Sequence, residues 1–307
     1  MKVITGDISS ERTVLDAMQG VDVVIHCAAL CDVSLEPDEK AMHRTNVDGT
    51  ANLINAAIEC SVEFFVFVST ADVVIGTDQI YFGSEATTPI PENPVMGTYA
   101  TSKRKAEVLV MDANDKLLAN GTANLRTLVL RPTVTYGEGD THFIPNLLKR
   151  VKENRGVLQR IDNIFIRCQV TYVGNVAWAI LRAKDKMRND ASIGGEAFFV
   201  TDDSPILDPF EYFKPIVEMH GMRLSSWAIP YWILILFLSL VHFVVRAVRP
   251  IFHIPLPESW DTKKIRFICN TYFFNRNKAI LRLDYDPIYT PEDSNDRSMK
   301  YYQQIKV

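Results

Sequence analysis

Phe64-Phe-Val-Phe-Val-Ser69 is the stretch that decides the fold, because an unbroken apolar run ends on a hydroxyl side chain. A run of this length predicts a strand buried on both faces, as in a parallel sheet covered by helices. Similar runs occupy residues 23–26 and 124–131, the second followed directly by Pro132. Helical patterns at residues 37–59 and 99–118 separate these runs. The alternation predicts an α/β fold with a doubly wound parallel sheet.

Residues outside this alternation extend the prediction in both directions. Residues 2–8 resemble a short strand, and a short helix with Val14 on its apolar face follows them. From Tyr136 onward the alternation loosens into loops, helices at 143–153 and 175–184, and a strand at 197–200. We therefore divide the chain into residues 1–135, which form the sheet, and residues 136–307, which form a smaller C-terminal lobe.

The composition limits the classes of function. With 307 residues, 47% of them hydrophobic, the chain can bury a large core. The formal net charge is −4, and no basic stripe is present, so we expect no nucleic-acid partner. The five cysteines are scattered and are expected to be reduced. Cys27 and Cys31 lack a second pair at metal-ligand spacing, so we expect no metal site.

Residues 227–245 form an apolar segment near the lower limit of a membrane-spanning length. Three interpretations remain open for it. The segment forms a helix that spans the bilayer, a helix embedded in one leaflet, or a helix that is buried or pairs two copies of the chain.

Tyr99 and Lys103 are four residues apart in a predicted helix, so their side chains leave the same face about one turn apart. A tyrosine with a pKa near 10 is a poor base, but a nearby ammonium group favours the phenolate and lowers that pKa. Tyr99 could then accept a proton from an alcohol while hydride leaves the carbon. This spacing alone also occurs by chance on helix surfaces.

Ser69 and Thr70 strengthen the hypothesis, because they follow a predicted parallel strand at the end where doubly wound sheets bind ligands. A hydroxyl beside the tyrosine can hold the substrate oxygen through its alcohol and ketone states. The plainer alternative is that the two hydroxyls close the strand and cap a turn.

The motifs together resemble the extended short-chain dehydrogenases. They occur in the typical order and spacing: His26-Cys-Ala-Ala29, Asn46-Val-Asp-Gly-Thr50, Val68-Ser-Thr70, Tyr99-Ala-Thr-Ser-Lys103 and Leu130-Arg-Pro-Thr-Val-Thr-Tyr-Gly137. Later segments and the apolar stretch look like the 3β-hydroxysteroid dehydrogenase/isomerase branch: Val170-Thr-Tyr-Val-Gly-Asn-Val176, Glu196-Ala-Phe-Phe-Val-Thr-Asp-Asp203 and Phe274-Asn-Arg-Asn-Lys-Ala279.

The resemblance implies a role for each matching residue. Tyr99 resembles the general acid/base, Lys103 the residue that lowers its pKa and binds the nicotinamide ribose, and Thr70 or Ser69 the partner of the substrate oxygen. Other positions resemble the rest of a dinucleotide site: Asp7 and Ile8 would flank the adenine, and Cys27, Ala28 and Ala29 would line the pyrophosphate and ribose. Asn46 resembles the asparagine that steadies the sheet near the active site, and Pro132 the residue whose backbone approaches the nicotinamide amide.

The resemblance also implies a cofactor, a substrate and a location. We expect a Rossmann-like, dinucleotide-binding region in residues 1–135, NAD as cofactor with NADP not excluded, and a sterol-like substrate. Membrane lipid is an expected partner, and a homodimer is an open alternative. The expected location is the endoplasmic reticulum or another intracellular membrane, with the catalytic lobe in the cytosol.

One part of the family pattern has no match. A complete member begins with a strand, a Gly-x-x-Gly-x-x-Gly turn, a helix and a second strand, whereas this sequence starts at the third strand. We therefore expect the first βαβ unit to be missing, and with it the loop that holds the pyrophosphate. The alternatives are a different substrate, such as a sterol 4-carboxylate, a flavonoid-like ketone or a nucleotide sugar, or a sterol-binding paralogue without enzymatic activity.

Overall fold

The computed structural model describes residues 2–163, 166–248, 256–257 and 260–306. The helices are α1 (Glu11–Met18), α2 (Glu39–Met42), α3 (Gly49–Glu59), α4 (Gly97–Asp112), α5 (Phe143–Glu153), α6 (Val173–Asn189), α7 (Pro209–Met219), α8 (Tyr231–Val248), α9 (Thr262–Ile268), α10 (Asn277–Leu283) and α11 (Pro291–Tyr302). The strands are β1 (Val23–His26), β2 (Phe64–Val68), β3 (Ile80–Gly83), β4 (Arg126–Pro132), β5 (Val134–Tyr136), β6 (Val157–Asp162), β7 (Val170–Tyr172), β8 (Glu196–Val200), β9 (Arg223–Pro230) and β10 (Tyr272–Phe274).

A four-stranded sheet in the order β1-β2-β4-β8 forms the centre of the protein, and all of its strands are parallel. Val66 on β2 pairs with Ile25 on one side and Leu128 on the other. The parallel sheet predicted from the apolar runs is thus confirmed. Three two-stranded sheets, β3-β10, β5-β7 and β6-β9, lie outside it.

The side chains of the central strands alternate between two covered faces, as the period of two in a strand requires. Phe65, Phe67 and Val129 lie in one hydrophobic cluster with residues from α1, α3 and α4. Val66 and Leu128, their immediate neighbours, lie in a second cluster with residues from α6 and α10. Burial on both faces explains why these strands are almost entirely apolar.

The predicted helix at residues 37–59 is present from Glu39 to Glu59, but it contains a wider turn. Residues His43–Asp48 form a π-helical segment between α2 and α3. A π-helical insertion rotates the residues after it relative to those before it, and such segments are frequent at functional sites. Here it buries the side chain of Asn46.

Several boundaries differ from the sequence predictions; the helix predicted for residues 99–118, for example, ends at Asp112. Residues 2–6 do not form the predicted strand, because none of the described residues supplies a hydrogen-bonded neighbour for them. The division at residue 136 does not coincide with the edge of the sheet, since β8 follows it in sequence and pairs with β4. The apolar helix predicted for 227–245 begins at Tyr231, because Trp227–Pro230 belong to β9, which pairs with β6.

β1 is an edge strand of the central sheet among the described residues. The side chain of Ile25 on this strand is 44% exposed, whereas Val66, its partner on β2, is fully buried. The open edge lies where the resemblance places the missing first unit; that absence stays a prediction.

His26, which ends β1, is buried and bonds to helix α3. Its Nε2 lies 2.9 Å from Oγ1 of Thr50. Burial, reinforced by the positive charge of Lys103, lowers the pKa of His26 from 6.5 to about 3. The folded protein therefore keeps this imidazole neutral at pH values where an unfolded chain would protonate it.

We predict that His26 makes the protein less stable at acidic pH. Because the pKa in the folded state lies below that of the unfolded chain, the unfolded state binds the extra proton between pH 6.5 and about 3. The free energy of unfolding should therefore fall by about 1.4 kcal/mol for each unit below about pH 6 through this group. Urea titrations of His26→Gln between pH 7 and 5 should show a shallower loss than the unmodified chain. His43→Gln, at a half-exposed side chain, is the matched control; equal slopes in all three proteins would contradict the prediction.

Candidate active site

The carboxyl ends of the central strands bring most of the predicted site residues to one edge of the sheet. Cys27, Ala28 and Ala29 follow β1, Ser69 and Thr70 follow β2, and Pro132 ends β4. The residues after β1 are exposed, whereas Ser69 and Pro132 are buried. In doubly wound sheets this edge is where ligands bind.

α4 places Lys103 against the end of β2. The Lys103 ammonium Nζ donates a hydrogen bond to the carbonyl oxygen of Val68, at 2.8 Å, and lies 4.2 Å from the centre of the Phe67 ring. The residue is almost completely buried. Since Val68 directly precedes Ser69, the predicted ammonium and the predicted hydroxyl lie at the same strand end.

Tyr99, one turn before Lys103 on the same helix, reaches two residues that the sequence did not indicate. The Cys31 thiol and the Asp72 carboxyl both lie close enough to its phenol to raise the pKa of that phenol. Cys31 belongs to the loop after β1, and Asp72 follows Thr70 in the turn after β2. Their positions just beyond strand ends were the available signal, but side-chain direction in such loops depends on packing.

Burial changes the acid–base properties of this pair. It lowers the pKa of Lys103 to about 8, against an opposing effect of the Glu107 carboxylate. Burial also raises the pKa of Tyr99 well above 10, and Cys31 and Asp72 raise it further. The predicted lowering of the Tyr99 pKa is thus not seen in this structure, because the Lys103 ammonium bonds to a carbonyl instead of the phenol.

Asp72 is the acid beside Tyr99. Burial raises the pKa of its carboxyl to about 6, and a hydrogen bond with the Thr70 hydroxyl opposes this rise. The backbone N–H of Asp72 donates to Thr70 Oγ1 at 3.2 Å, which caps the short 3₁₀ turn at Ala71–Val74. Thr70 therefore does cap a turn, as the plainer interpretation of the sequence proposed.

The hydroxyl of Ser69 differs from that of Thr70 because no protein group bonds to it. Ser69 is buried and its backbone N–H donates to the Leu130 carbonyl oxygen, at 2.7 Å. Its Oγ is buried without a hydrogen-bond partner. A buried hydroxyl without a partner is unfavourable by roughly 1–3 kcal/mol, so this oxygen is suited to bond a ligand.

Asn46 ties the loop after β1 to the helix that carries Tyr99. Its Oδ1 accepts from the Leu30 N–H at 2.7 Å, and its Nδ2 donates to the Leu30 carbonyl and to Ser102 Oγ, both at 2.9 Å. Ser102 Oγ in turn donates to the carbonyl oxygen of Tyr99 at 2.7 Å. The π-helical segment thus places an amide that supports both sides of the site.

Asp7 and Ile8, which are predicted to lie beside an adenine, are held near the start of α3 by contacts of Ile8. The carbonyl oxygen of Ile8 accepts from Asn52 Nδ2 at 3.1 Å, and the Ile8 side chain packs so closely on Gly49 that a Cβ there would come within 2.7 Å of it. Asp7 is exposed and accepts a hydrogen bond from the Ser9 N–H. Asp7 and Ile8 therefore lie near the His26 end of β1, outside the Tyr99 cluster.

These residues fit the nicotinamide half of a dinucleotide. A buried ammonium at Lys103, the free Ser69 hydroxyl and the exposed backbone at Cys27–Ala29 could contact a ribose and a ring amide. Within the part of the chain that the structure describes, no central strand leads through a glycine-rich turn into a helix, so nothing comparable is seen for the pyrophosphate. The same residues contain no group of three His, Cys, Asp or Glu side chains that could hold a metal ion.

Comparisons with known proteins agree with the motifs. The model of the 3-beta hydroxysteroid dehydrogenase/isomerase family matches residues 1–231. The chain is 32% identical over 311 residues to 3 beta-hydroxysteroid dehydrogenase type 7 of Mus musculus, an alignment that covers 99% of this chain and 82% of the mouse protein. Among solved structures, gox2253 is similar with a TM-score of 0.70 and 20% identity over 99% of this chain and 84% of that one. MoeE5 in complex with UDP-glucuronic acid and NAD has a TM-score of 0.65 and 18% identity, covering 98% and 85% of the two chains.

We predict that Asn46 contributes strongly to stability as well as to the shape of the site. Asn46→Leu removes three hydrogen bonds, leaves the part-buried backbone groups of Leu30 without this partner, and should lower the free energy of unfolding by about 1–3 kcal/mol. Asn55→Leu, at an exposed position of α3, should change it by less than about 0.5 kcal/mol. Denaturant unfolding of both variants checks this; equal losses would show that the Asn46 bonds are not the cause.

Proposed function

Because the chain belongs to the 3-beta hydroxysteroid dehydrogenase/isomerase family, we propose that it oxidises a 3β-hydroxyl group of a sterol-like substrate to a ketone, with NAD as the cofactor. The observation that supports this most is that α4 carries Tyr99 and Lys103 one turn apart and holds the Lys103 ammonium on the Val68 carbonyl, directly before Ser69, whose hydroxyl is buried without a partner. These are the acid/base, the cation and the hydrogen-bonding group that alcohol oxidation requires.

Each residue has a distinct task in this proposal. The Ser69 hydroxyl, or that of Thr70, bonds the substrate oxygen and orients the carbinol carbon. Tyr99 accepts the hydroxyl proton, and the bound dinucleotide supplies the hydride acceptor. Since burial raises the pKa of Tyr99, the phenolate can form only when the Lys103 ammonium turns from the Val68 carbonyl toward the phenol.

The isomerase part of the family's description is the second step that we propose. It moves a carbon–carbon double bond into conjugation with the new ketone, so it changes the absorption spectrum of the product. The same assay that follows NADH formation can therefore detect it.

We predict that Tyr99→Phe lowers kcat/KM for NADH formation from a 3β-hydroxysterol by about 100-fold or more, because the proton acceptor is lost. The assay should use the chain itself and the chain fused behind a glycine-rich strand–turn–helix–strand unit of the kind with which the family pattern begins. Tyr81→Phe is the matched control, since that phenol is 54% exposed.

A loss of less than about tenfold in Tyr99→Phe would contradict the acid/base role. Absence of turnover in the fused protein, despite micromolar binding of NAD in equilibrium dialysis, would contradict the proposed substrate class instead. The alternative of a sterol-binding paralogue without cofactor fails if the chain itself binds NAD at micromolar affinity.

α8 supports a sterol-like substrate because it provides an apolar surface where such a molecule could arrive from lipid. Among the described residues it is the one helix long and apolar enough to cross a membrane. Four large side chains along one stripe are between 61% and 70% exposed, namely Trp232, Leu236, Leu240 and Phe243. Soluble proteins rarely leave a contiguous apolar surface of this kind uncovered.

The opposite stripe of α8 packs against the protein. Tyr231, Leu234 and Leu238 lie in a cluster with Ile265 of α9. Farther along the same stripe, Nε2 of His242 lies 3.0 Å from the carbonyl oxygen of Trp260. Contacts therefore run from the start of the helix to its fourth turn.

These contacts favour a helix embedded in one leaflet over one that spans the bilayer. A spanning helix would bring its packing partner α9 to membrane depth, and α9 carries Lys263, Lys264 and Arg266. A helix lying in the membrane plane instead buries its exposed stripe in lipid and leaves α9 in water. By resemblance, we assign this surface to the cytosolic side of the endoplasmic reticulum membrane.

We predict that the double variant Leu236→Glu/Leu240→Glu binds vesicles at least about 100-fold more weakly, because two apolar anchors become charged. Flotation with phosphatidylcholine vesicles measures the bound fraction. Leu117→Glu/Leu281→Glu, at leucines that are 62% and 78% exposed elsewhere, is the matched control.

Unchanged flotation of the α8 variant, or an equal loss in the control, would contradict a membrane role for this stripe. Protease sites on both flanks of α8 should be accessible from the same side of sealed vesicles. Accessibility of one flank only would indicate a spanning helix.

A further inference from the structure

α4 carries a third ionisable residue on the face that presents Tyr99 and Lys103. Glu107 follows Lys103 by one turn and is almost completely buried. Residues four apart on a helix are neighbours, so a carboxylate here could reach the ammonium directly. Such a contact would draw Lys103 along the helix, away from Tyr99.

Arg131 occupies both oxygens of this carboxylate. Its Nε donates to Oε1 of Glu107 at 3.0 Å, and its Nη2 donates to Oε2 at 2.7 Å. The side chains of Arg131 and Glu107 are only 7% and 1% exposed. A bidentate pair in a water-free environment is strong and fixes the plane of the carboxylate.

β4 determines where the guanidinium lies. Arg131 precedes Pro132 at the carboxyl end of this strand, and Leu130 beside it pairs with Val68, whose carbonyl accepts the Lys103 hydrogen bond. The arginine and the lysine are therefore held to neighbouring strands of the sheet. Both are held at the edge where the site is located.

We infer that Arg131 is a positioning residue for Lys103: by engaging both oxygens of Glu107, its guanidinium keeps this carboxylate from the ammonium and leaves Lys103 directed at the Val68 carbonyl at the end of β2. The inference rests on the proposed roles of Tyr99 and Lys103, but its primary test needs no turnover. Without the guanidinium, the buried carboxylate would need a new partner, and Lys103 is the cation one turn away.

The pKa of Lys103 should report this arrangement. The titratable groups that act on it are Glu107 on α4 and Cys27 and Cys31 in the loop after β1, and Lys103 in turn acts on His26 at the end of β1. Tyr99 on α4 and Asp72 after β2 act on Cys31. Among the groups that act on Lys103, Glu107 has the largest charge effect and raises the pKa, against a larger lowering by burial. Removing Arg131 should strengthen the effect of Glu107 on the pKa of Lys103, and removing the Glu107 carboxylate should abolish it.

The experiment titrates the ε-carbon resonance of Lys103 by NMR in the full chain labelled with ¹³C-lysine, with Lys103→Met to assign the signal. In Arg131→Met the pKa should rise by about one unit or more above the value near 8, because an ion pair with Glu107 favours the charged ammonium. In Glu107→Gln the pKa should fall below that of the unmodified chain. In the double variant Arg131→Met/Glu107→Gln the pKa of Lys103 should lie within about half a unit of its value in the unmodified chain, because the two opposite charges are removed together.

Arg282→Met is the matched control, since it breaks a partly exposed ion pair between α10 and Glu196 of β8, away from the site. Circular dichroism and Tm verify folding of each variant. A purely structural role for Arg131 predicts lower stability with an unchanged Lys103 pKa, and that result overturns the inference. If Arg131→Met does not fold, Glu107→Gln decides alone, because an unchanged Lys103 pKa there shows that the carboxylate does not act on the ammonium.

Turnover of the fused protein separates this inference from the proposed function. At neutral pH, Arg131→Met should lower kcat at least about tenfold with little change in KM, and the double variant should recover most of it. The pH at which oxidation reaches half its maximum should rise in Arg131→Met, since Tyr99 loses a nearby ammonium and deprotonates at higher pH. A shifted Lys103 pKa with unchanged kcat would contradict the catalytic role of Lys103, and leave the positioning of Lys103 by Arg131 intact.

Discussion

The buried ammonium of Lys103 is the constraint on which the site depends. A charge that leaves water is unfavourable by several kcal/mol unless the protein provides partners, and here the Val68 carbonyl and the Phe67 ring face it. Both partners belong to β2, so α4 must lie across the end of this strand in one register. The position of Tyr99, one turn away, follows from this register because a helix has no freedom to adjust within a turn.

The central sheet makes that register rigid. Phe65 and Phe67 point to the face covered by α3 and α4, and Val66 points to the face covered by α6. A slip of one residue in β2 would exchange the two sets and move the Val68 carbonyl away from Lys103. Packing of the hydrophobic core and placement of the catalytic groups are therefore the same structural requirement.

The sequence predicted this arrangement where short-range patterns determine it. The apolar run at residues 64–68 could only be a buried strand, and Tyr99 and Lys103 could only share a helix face. Cys31 and Asp72 could not be predicted, because their proximity to Tyr99 depends on how two loops fold over the sheet. The strand expected at residues 2–8 does not form, because a strand needs a neighbouring strand and none of the described residues pairs with this segment. The start of α8 at Tyr231 was missed because pairing of β9 with β6 overrides local apolarity.

α9 connects the apolar helix α8 to the candidate site. Ile265 on this short helix packs into the cluster that holds α8. Phe267, two residues later, packs against a second cluster, which includes Ala71 and Val73 in the turn after Thr70. At its start, Lys263 lies so close to Gly97 that a Cβ on that glycine would come within 3.3 Å of the ammonium, and Gly97 begins the helix that carries Tyr99. One helix of two turns thus packs against the apolar helix α8, the cluster at the turn after β2 and the start of α4. A displacement of α8 would therefore reach the turn after β2 through side chains of α9 that already pack against both.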